Sequence, residues 1–85
     1  MKADSRGDVN DIIAGLGGKE NIVNVTNCMT RLRVEVKDLS LLDEEKINKY
    51  KNSGIVKKNN NVQIIIGLQV GHVKSDVCAA LGIDD

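Results

Sequence analysis

Apolar residues follow two rhythms along this chain, and their alternation sketches a fold. Val9, Ile12, Ile13 and Leu16 recur at i, i+3, i+4 and i+7, the stripe of an amphipathic helix, with Asp8 placed to cap it. Gly17-Gly18 closes that helix, since glycine readily takes the left-handed position after a last turn. From Ile22 to Asn27 the period drops to two, with Val23 and Val25 on one face and Asn24 and Thr26 on the other. Residues 31–37 repeat this more cleanly. Leu32, Val34 and Val36 share one face, and Arg31, Arg33, Glu35 and Lys37 share the other, as in a sheet with one face packed and one open to water.

Ser40-Leu41-Leu42-Asp43 has the spacing of a capping box and predicts a helix running to about residue 51, with Ile47 and Tyr50 facing inward. Asn52-Ser53-Gly54 stops it. Ile55-Val56 reads as a short third strand, 57–61 as a polar, asparagine-rich turn, and 62–66 as a fourth strand ended by Gly67. Val70, Val73, Val77 and Leu81 mark a last helix that Gly82 terminates. The predicted order is αββαββα. It implies an α+β domain over residues 8–85, a four-stranded, mainly antiparallel sheet with helices on one face, behind a flexible lead-in over residues 1–7. Periodicity leaves the strand order open.

Composition narrows the function. Eighty-five residues make one domain. Twelve Lys and Arg balance twelve Asp and Glu, so no net field draws the chain to nucleic acid or to a membrane surface. Tyr50 is the only aromatic residue, so the core rests on Val, Ile, Leu and Ala. A sheet that binds RNA by stacking bases needs aromatic platforms and a basic excess, and this chain has neither. No apolar run approaches the ~20 residues of a membrane span and no signal peptide is visible, so no direct membrane insertion is expected. Two distant cysteines without a CxxC pair read as a reduced, cytoplasmic chain.

The chemistry concentrates in Asn27-Cys28-Met29-Thr30-Arg31-Leu32-Arg33. A thiol ends a strand, a hydroxyl follows two residues on, and two guanidinium groups leave the turn side by side. Cations lower a thiol's pKa towards the nucleophilic thiolate. An Arg fork also matches phosphate oxygens in two-point geometry. Singly, a strand cysteine is a small hydrophobe and strand arginines are solvated. Together in one turn they form a candidate site for a covalent phosphoryl group. A cysteine-dependent phosphatase loop needs C-x5-R, but Val34 occupies that place. Cys28, Cys78 and His72 cannot assemble a four-ligand zinc site. A papain-like pair is also disfavoured, because no Asn or Asp is marked out to orient His72. His72 reads as an exposed helix residue, Cys78 as core, and Ile65 as an apolar residue on the open sheet face. The last helix starts near Gln69-Val70-Gly71, and its N-terminus aids an anion only if it lies by Cys28.

At these residues the chain, from about residue 9 to residue 82, resembles the IIB domain of the glucose family of the bacterial phosphoenolpyruvate-dependent sugar phosphotransferase system. The resemblance rests on the C-x-T-R-L-R core at Cys28 to Arg33, with weaker matches at Gly17-Gly18-Lys19-Glu20-Asn21-Ile22, Val62-Gln63 and Ile66-Gly67. It implies a relay in which a IIA phosphohistidine phosphorylates the cysteine, which then phosphorylates a sugar held by the membrane IIC domain. Carried onto this chain, Cys28 is the nucleophile and transient carrier. Arg31 and Arg33 stabilise the phosphoryl charge, and Thr30 adds a hydroxyl hydrogen bond. The resemblance implies no metal or organic cofactor, and a place at the inner face of the cell membrane through association with or fusion to IIC. The alternative is a non-enzymatic regulatory or interaction module of the same fold. Its mark would be loss of the cysteine, and Cys28 and both arginines are present.

Overall fold

In a computed structural model describing residues 7–83, the two rhythms resolve into seven elements. These are α1 (Val9–Gly15), β1 (Ile22–Asn27), β2 (Arg31–Val36), α2 (Glu44–Ile47), β3 (Ile55–Lys58), β4 (Asn61–Ile65) and α3 (Val70–Leu81). Short 3-10 turns at Lys19–Asn21 and Leu39–Leu41 join them. Apart from Gly7, the expected lead-in lies outside the described residues.

The strands form one antiparallel sheet in the order β1-β2-β4-β3. Its inner face carries Val25, Leu32, Val34, Val36, Val62 and Ile64, all buried. The α3 helix lies over β1 and β2 and against α1, and α1 packs on α2. The helical face supplies Ile12, Leu16, Tyr50, Val73 and Val77 to the same cluster. Burying one such Val, Leu or Ile side chain stabilises the fold by about 1.5–3 kcal/mol. At the β3 edge, Lys57 points to the helical side and pairs with Glu44 of α2. An inward-pointing charge of this kind protects a sheet edge from further pairing.

Local chemistry explains the boundaries. Asp8 caps α1 by accepting from the Asn10 N–H at 2.9 Å. The helix closes as Gly17 and Gly18 donate back to the carbonyls of Ala14 and Ile13, the Schellman pattern. Gly15 lets α1 and α2 meet, since a Cβ there would lie 2.4 Å from Ile47 Cγ1 and 2.8 Å from the Asp43 carbonyl oxygen. At its other end α3 closes on Gly82, which adopts φ 73 and ψ 30.

Three expectations need correction. Val23 does not share the inner face with Val25. The β1–β2 register shifts between Ile22 and Asn24, so the extra residue of a bulge turns Val23 outward, 52 % exposed, while Ile22 packs against the core. Ser40 does not cap the second helix. Asp38 caps the 3-10 turn by bonding the Ser40 N–H and hydroxyl, and Asp43 caps α2, which is only four residues long. Ile47 and Tyr50 still face inward, both fully buried. The polar turn is also shorter than 57–61, because Lys57 and Lys58 belong to β3 and Asn61 to β4.

Candidate functional site

The last β1–β2 pair is Asn27 opposite Leu32. Beyond it the Cys28 N–H donates to the Arg31 carbonyl at 3.0 Å, leaving Met29-Thr30 as a two-residue connection. The Thr30 carbonyl accepts from the N–H groups of both Ile66 and Gly67 at 2.9 Å. This ties the turn to the end of β4 and brings the segment entering α3 against it. Gly67 sits there at φ 116, in the left-handed region that favours glycine.

The Cys28 thiol is exposed at this strand end, where its Sγ lies 3.8 Å from the Arg31 carbonyl oxygen. Its pKa is drawn below the ordinary cysteine value. The largest cause is a hydrogen bond from the Arg31 backbone N–H, opposed by local desolvation. The Thr30 backbone N–H and then the charges of Arg33 and Arg31 add to the lowering. Dipoles and charges thus favour the thiolate, the form that attacks phosphorus. The Cys28 carbonyl accepts from Asn27 Nδ2 at 3.1 Å.

The arginines leave the turn on the open face, as the alternation of β2 implies. Arg33 stands between Thr26 on β1 and Gln63 on β4, and Arg31 stands opposite Ile65. Arg33 is exposed and lines a shallow depression of about 220 Å³ with Lys58, Asn59, Asn61 and Gln63. Arg31 is half-buried, and its Nη1 donates to Gln63 Oε1 at 3.0 Å. Thr30 is half-buried in the turn. Cys28, Thr30, Arg31 and Arg33 are therefore neighbours in space as well as in sequence.

The remaining candidates separate from this group. Cys78 lies in the core, 1 % exposed, and His72 is exposed on α3. Ile65 is half-buried on the open face. Three neighbours of the site, Gln63, Leu68 and Met29, carry no role in the sequence reading. Gln63 alternates onto the polar face of β4, but only the β2–β4 register places it beside the arginines. Leu68, 88 % exposed, follows Gly67, and Met29, 84 % exposed, sits in the turn. Among the described residues no three His, Cys, Asp or Glu side chains gather into a possible metal site. None of the described helices is long and apolar enough to cross a membrane.

An exposed thiol set among amides and guanidinium groups is a candidate site for holding an anion covalently, and comparison with known proteins gives the chain's family. Residues 10–48 match the family model described as phosphotransferase system, EIIB. The maltose-specific EIICB component of Escherichia coli K12 is 41 % identical over 71 residues, covering 82 % of this chain and 13 % of that protein. The N-acetylglucosamine-specific EIICB component of Bacillus subtilis 168 is 43 % identical over 77 residues, covering 87 % and 17 %. A crystal structure of one domain of the phosphotransferase system IIabc component from Clostridium difficile superposes with a TM-score of 0.73 at 30 % identity, covering 89 % of this chain and 80 % of that one. The chain belongs to the EIIB family of the phosphotransferase system. It spans less than a fifth of the length of these curated relatives.

Proposed function

We propose that this domain is a phosphoryl carrier in sugar uptake and that Cys28 carries the group. The observation that supports this most directly is the exposed Cys28 thiol at the end of β1, whose pKa is lowered by backbone hydrogen bonding at Arg31 and Thr30 and by the charges of Arg33 and Arg31. In the first step the thiolate attacks the phosphorus of a phosphohistidine on a IIA partner. The S–P bond forms, the P–N bond breaks and the imidazole departs with the electron pair. In the second step a sugar hydroxyl attacks the same phosphorus, the S–P bond breaks and the thiolate is restored, while the hydroxyl proton passes to solvent or to a base on the partner. Phosphoryl transfer asks chiefly for positioning and charge stabilisation. Arg31 and Arg33 neutralise the equatorial oxygens, the turn amides fix the sulfur, and the Thr30 hydroxyl donates one more hydrogen bond.

The acceptor sugar is held by a membrane IIC domain. The names of the curated relatives, EIICB components, support an EIIC neighbour in the same polypeptide or complex. The domain then works at the inner face of the membrane without inserting into it. The test is incubation of the chain with phosphoenolpyruvate, the general phosphotransferase proteins and a IIA domain, followed by intact mass measurement. One phosphoryl group is expected, lost in Cys28→Ser and kept in Cys78→Ser. Phosphate on His72, or full labelling of Cys28→Ser, overturns the assignment.

A further inference from the structure

We propose that Gln63 is a positioning residue: its carboxamide oxygen on β4 holds the Arg31 guanidinium over the open face of the sheet, beside Arg33. The inference rests on the phosphocysteine reading of the site and adds a residue to it. Gln63 stands directly opposite Arg33 in the β2–β4 register, whereas Arg31 stands opposite Ile65. The Arg31–Gln63 bond therefore runs diagonally, at a spacing that long side chains bridge across neighbouring strands. Its length is 3.0 Å in a part-buried setting. An unrestrained arginine spreads over many rotamers, and one bond to a rigid strand selects among them.

The chemistry of the acceptor matters. The bond engages Nη1 of Arg31. A guanidinium has five N–H donors, so a fork remains for two phosphoryl oxygens. Gln is neutral, so it fixes the cation without cancelling the charge that the transferred group needs. A carboxylate at the same point would hold the cation equally well but would oppose the phosphoryl charge. Gln63 also lines the depression beside Arg33, so one side chain touches both the tethered arginine and the exposed one's surroundings.

The test compares the wild-type chain with Gln63→Met, Gln63→Asn, Gln63→Glu, Arg31→Ala and the Gln63→Met/Arg31→Ala double variant. Met keeps the side-chain length without the acceptor, and Asn keeps the acceptor one methylene short. NMR of the Arg31 side-chain nitrogens should show a restrained guanidinium in wild type and Gln63→Glu and a freely rotating one in Gln63→Met and Gln63→Asn. Transfer from Cys28 to N-acetylglucosamine, with membranes carrying the EIIC domain of an N-acetylglucosamine system, should lose about tenfold in kcat at unchanged KM in Gln63→Met, the scale of one hydrogen bond to a charged group. Gln63→Glu should also transfer slowly although its arginine is held. In the Arg31→Ala background, Gln63→Met should cost nothing further, because a residue that acts only through another loses its effect with it. A guanidinium equally mobile in wild type and Gln63→Met overturns the proposal, as do additive losses in the double variant. If wild type takes no label on Cys28, or Arg31→Ala transfers normally, the underlying site reading fails and Gln63 has no functional arginine to position. Neither of those results depends on the Gln63 variants, so the two failures are distinguishable.

Discussion

At one end of the sheet Asn59-Asn60 joins β3 to β4, and at the other Met29-Thr30 joins the Cys28 end of β1 to β2. Both connections are two residues long, yet their surroundings differ in kind. At the Asn60 end, hydrogen-bonding capacity is taken up internally. The Val36 N–H reaches the Asn60 carbonyl at 2.8 Å, Asn60 Nδ2 reaches the Lys37 carbonyl, and the Lys37 N–H reaches the Asn21 carbonyl. The Asn21 side chain, 4 % exposed, bonds the Leu16 carbonyl and both the N–H and carbonyl of Asp38. At the Cys28 end, an exposed sulfur sits in a turn whose backbone and two arginines together lower its pKa. The first arrangement stabilises a fold. The second leaves its donors beside an exposed sulfur, the arrangement that the proposed phosphoryl transfer requires. Polar groups satisfied inside the protein carry structure, and donors gathered around an exposed nucleophile carry function.

Substitutions at the two ends should therefore separate activity from stability. The largest effect is expected from Arg31→Lys or Arg33→Lys, where Lys offers a point charge without the fork. Transfer onward to sugar should fall by about 10²–10³, the usual loss when a transition-state donor is removed. At the exposed Arg33, the unfolding free energy should change by less than ~0.5 kcal/mol. Near-normal sugar phosphorylation by both variants would reduce the pair to a solvated strand face. Asn21→Ala should do the reverse. It strips partners from buried backbone groups and should cost about 1–3 kcal/mol in denaturant unfolding. The melting temperature should drop by about 4–8 °C per kcal/mol, with the rate per folded molecule unchanged. An unchanged melting temperature would remove Asn21 from the structural end.

The smallest effect is the titration of the Cys28 thiol. Its alkylation rate by iodoacetamide should reach half-maximum below the ~8.5 of a free cysteine. Loss of a nearby positive charge disfavours the thiolate and raises the pKa. Arg33→Ala should therefore move the midpoint up, and by more than Arg31→Ala, following the order of their influence on the sulfur. Asn60→Ala, at the other end, should leave it in place. A midpoint at or above that of free cysteine, or the opposite order of the arginines, would contradict the geometry of the turn.

How much of this was legible beforehand varies by element. The α1 stripe, the alternation of β2 and the α3 stripe were readable, and Ile12, Leu32, Val34, Val73 and Val77 are all buried as those patterns require. The second helix was misread because Ser40 and Asp43 both have capping chemistry. Tertiary packing chose Asp43, whose N–H is held by the Gly15 carbonyl at 2.7 Å. Val23 was misplaced because a bulge adds a residue to one strand, and strict alternation has no term for it.

The sequence by itself determined which faces are apolar, where the chain turns, and that a thiol, a hydroxyl and two arginines lie together. All of these depend on residues within a few positions of one another. Family membership was also legible there, in the C-x-T-R-L-R core. Only the tertiary structure decided the strand order, the bond from Thr30 to the segment before α3, and the placement of Gln63 and Lys58 beside the arginines. Each of these depends on the register between strands some thirty residues apart. That register is set by the packing of the whole inner face, because a slip of one residue would exchange Val62 and Ile64 for Gln63 and Ile65 against the core.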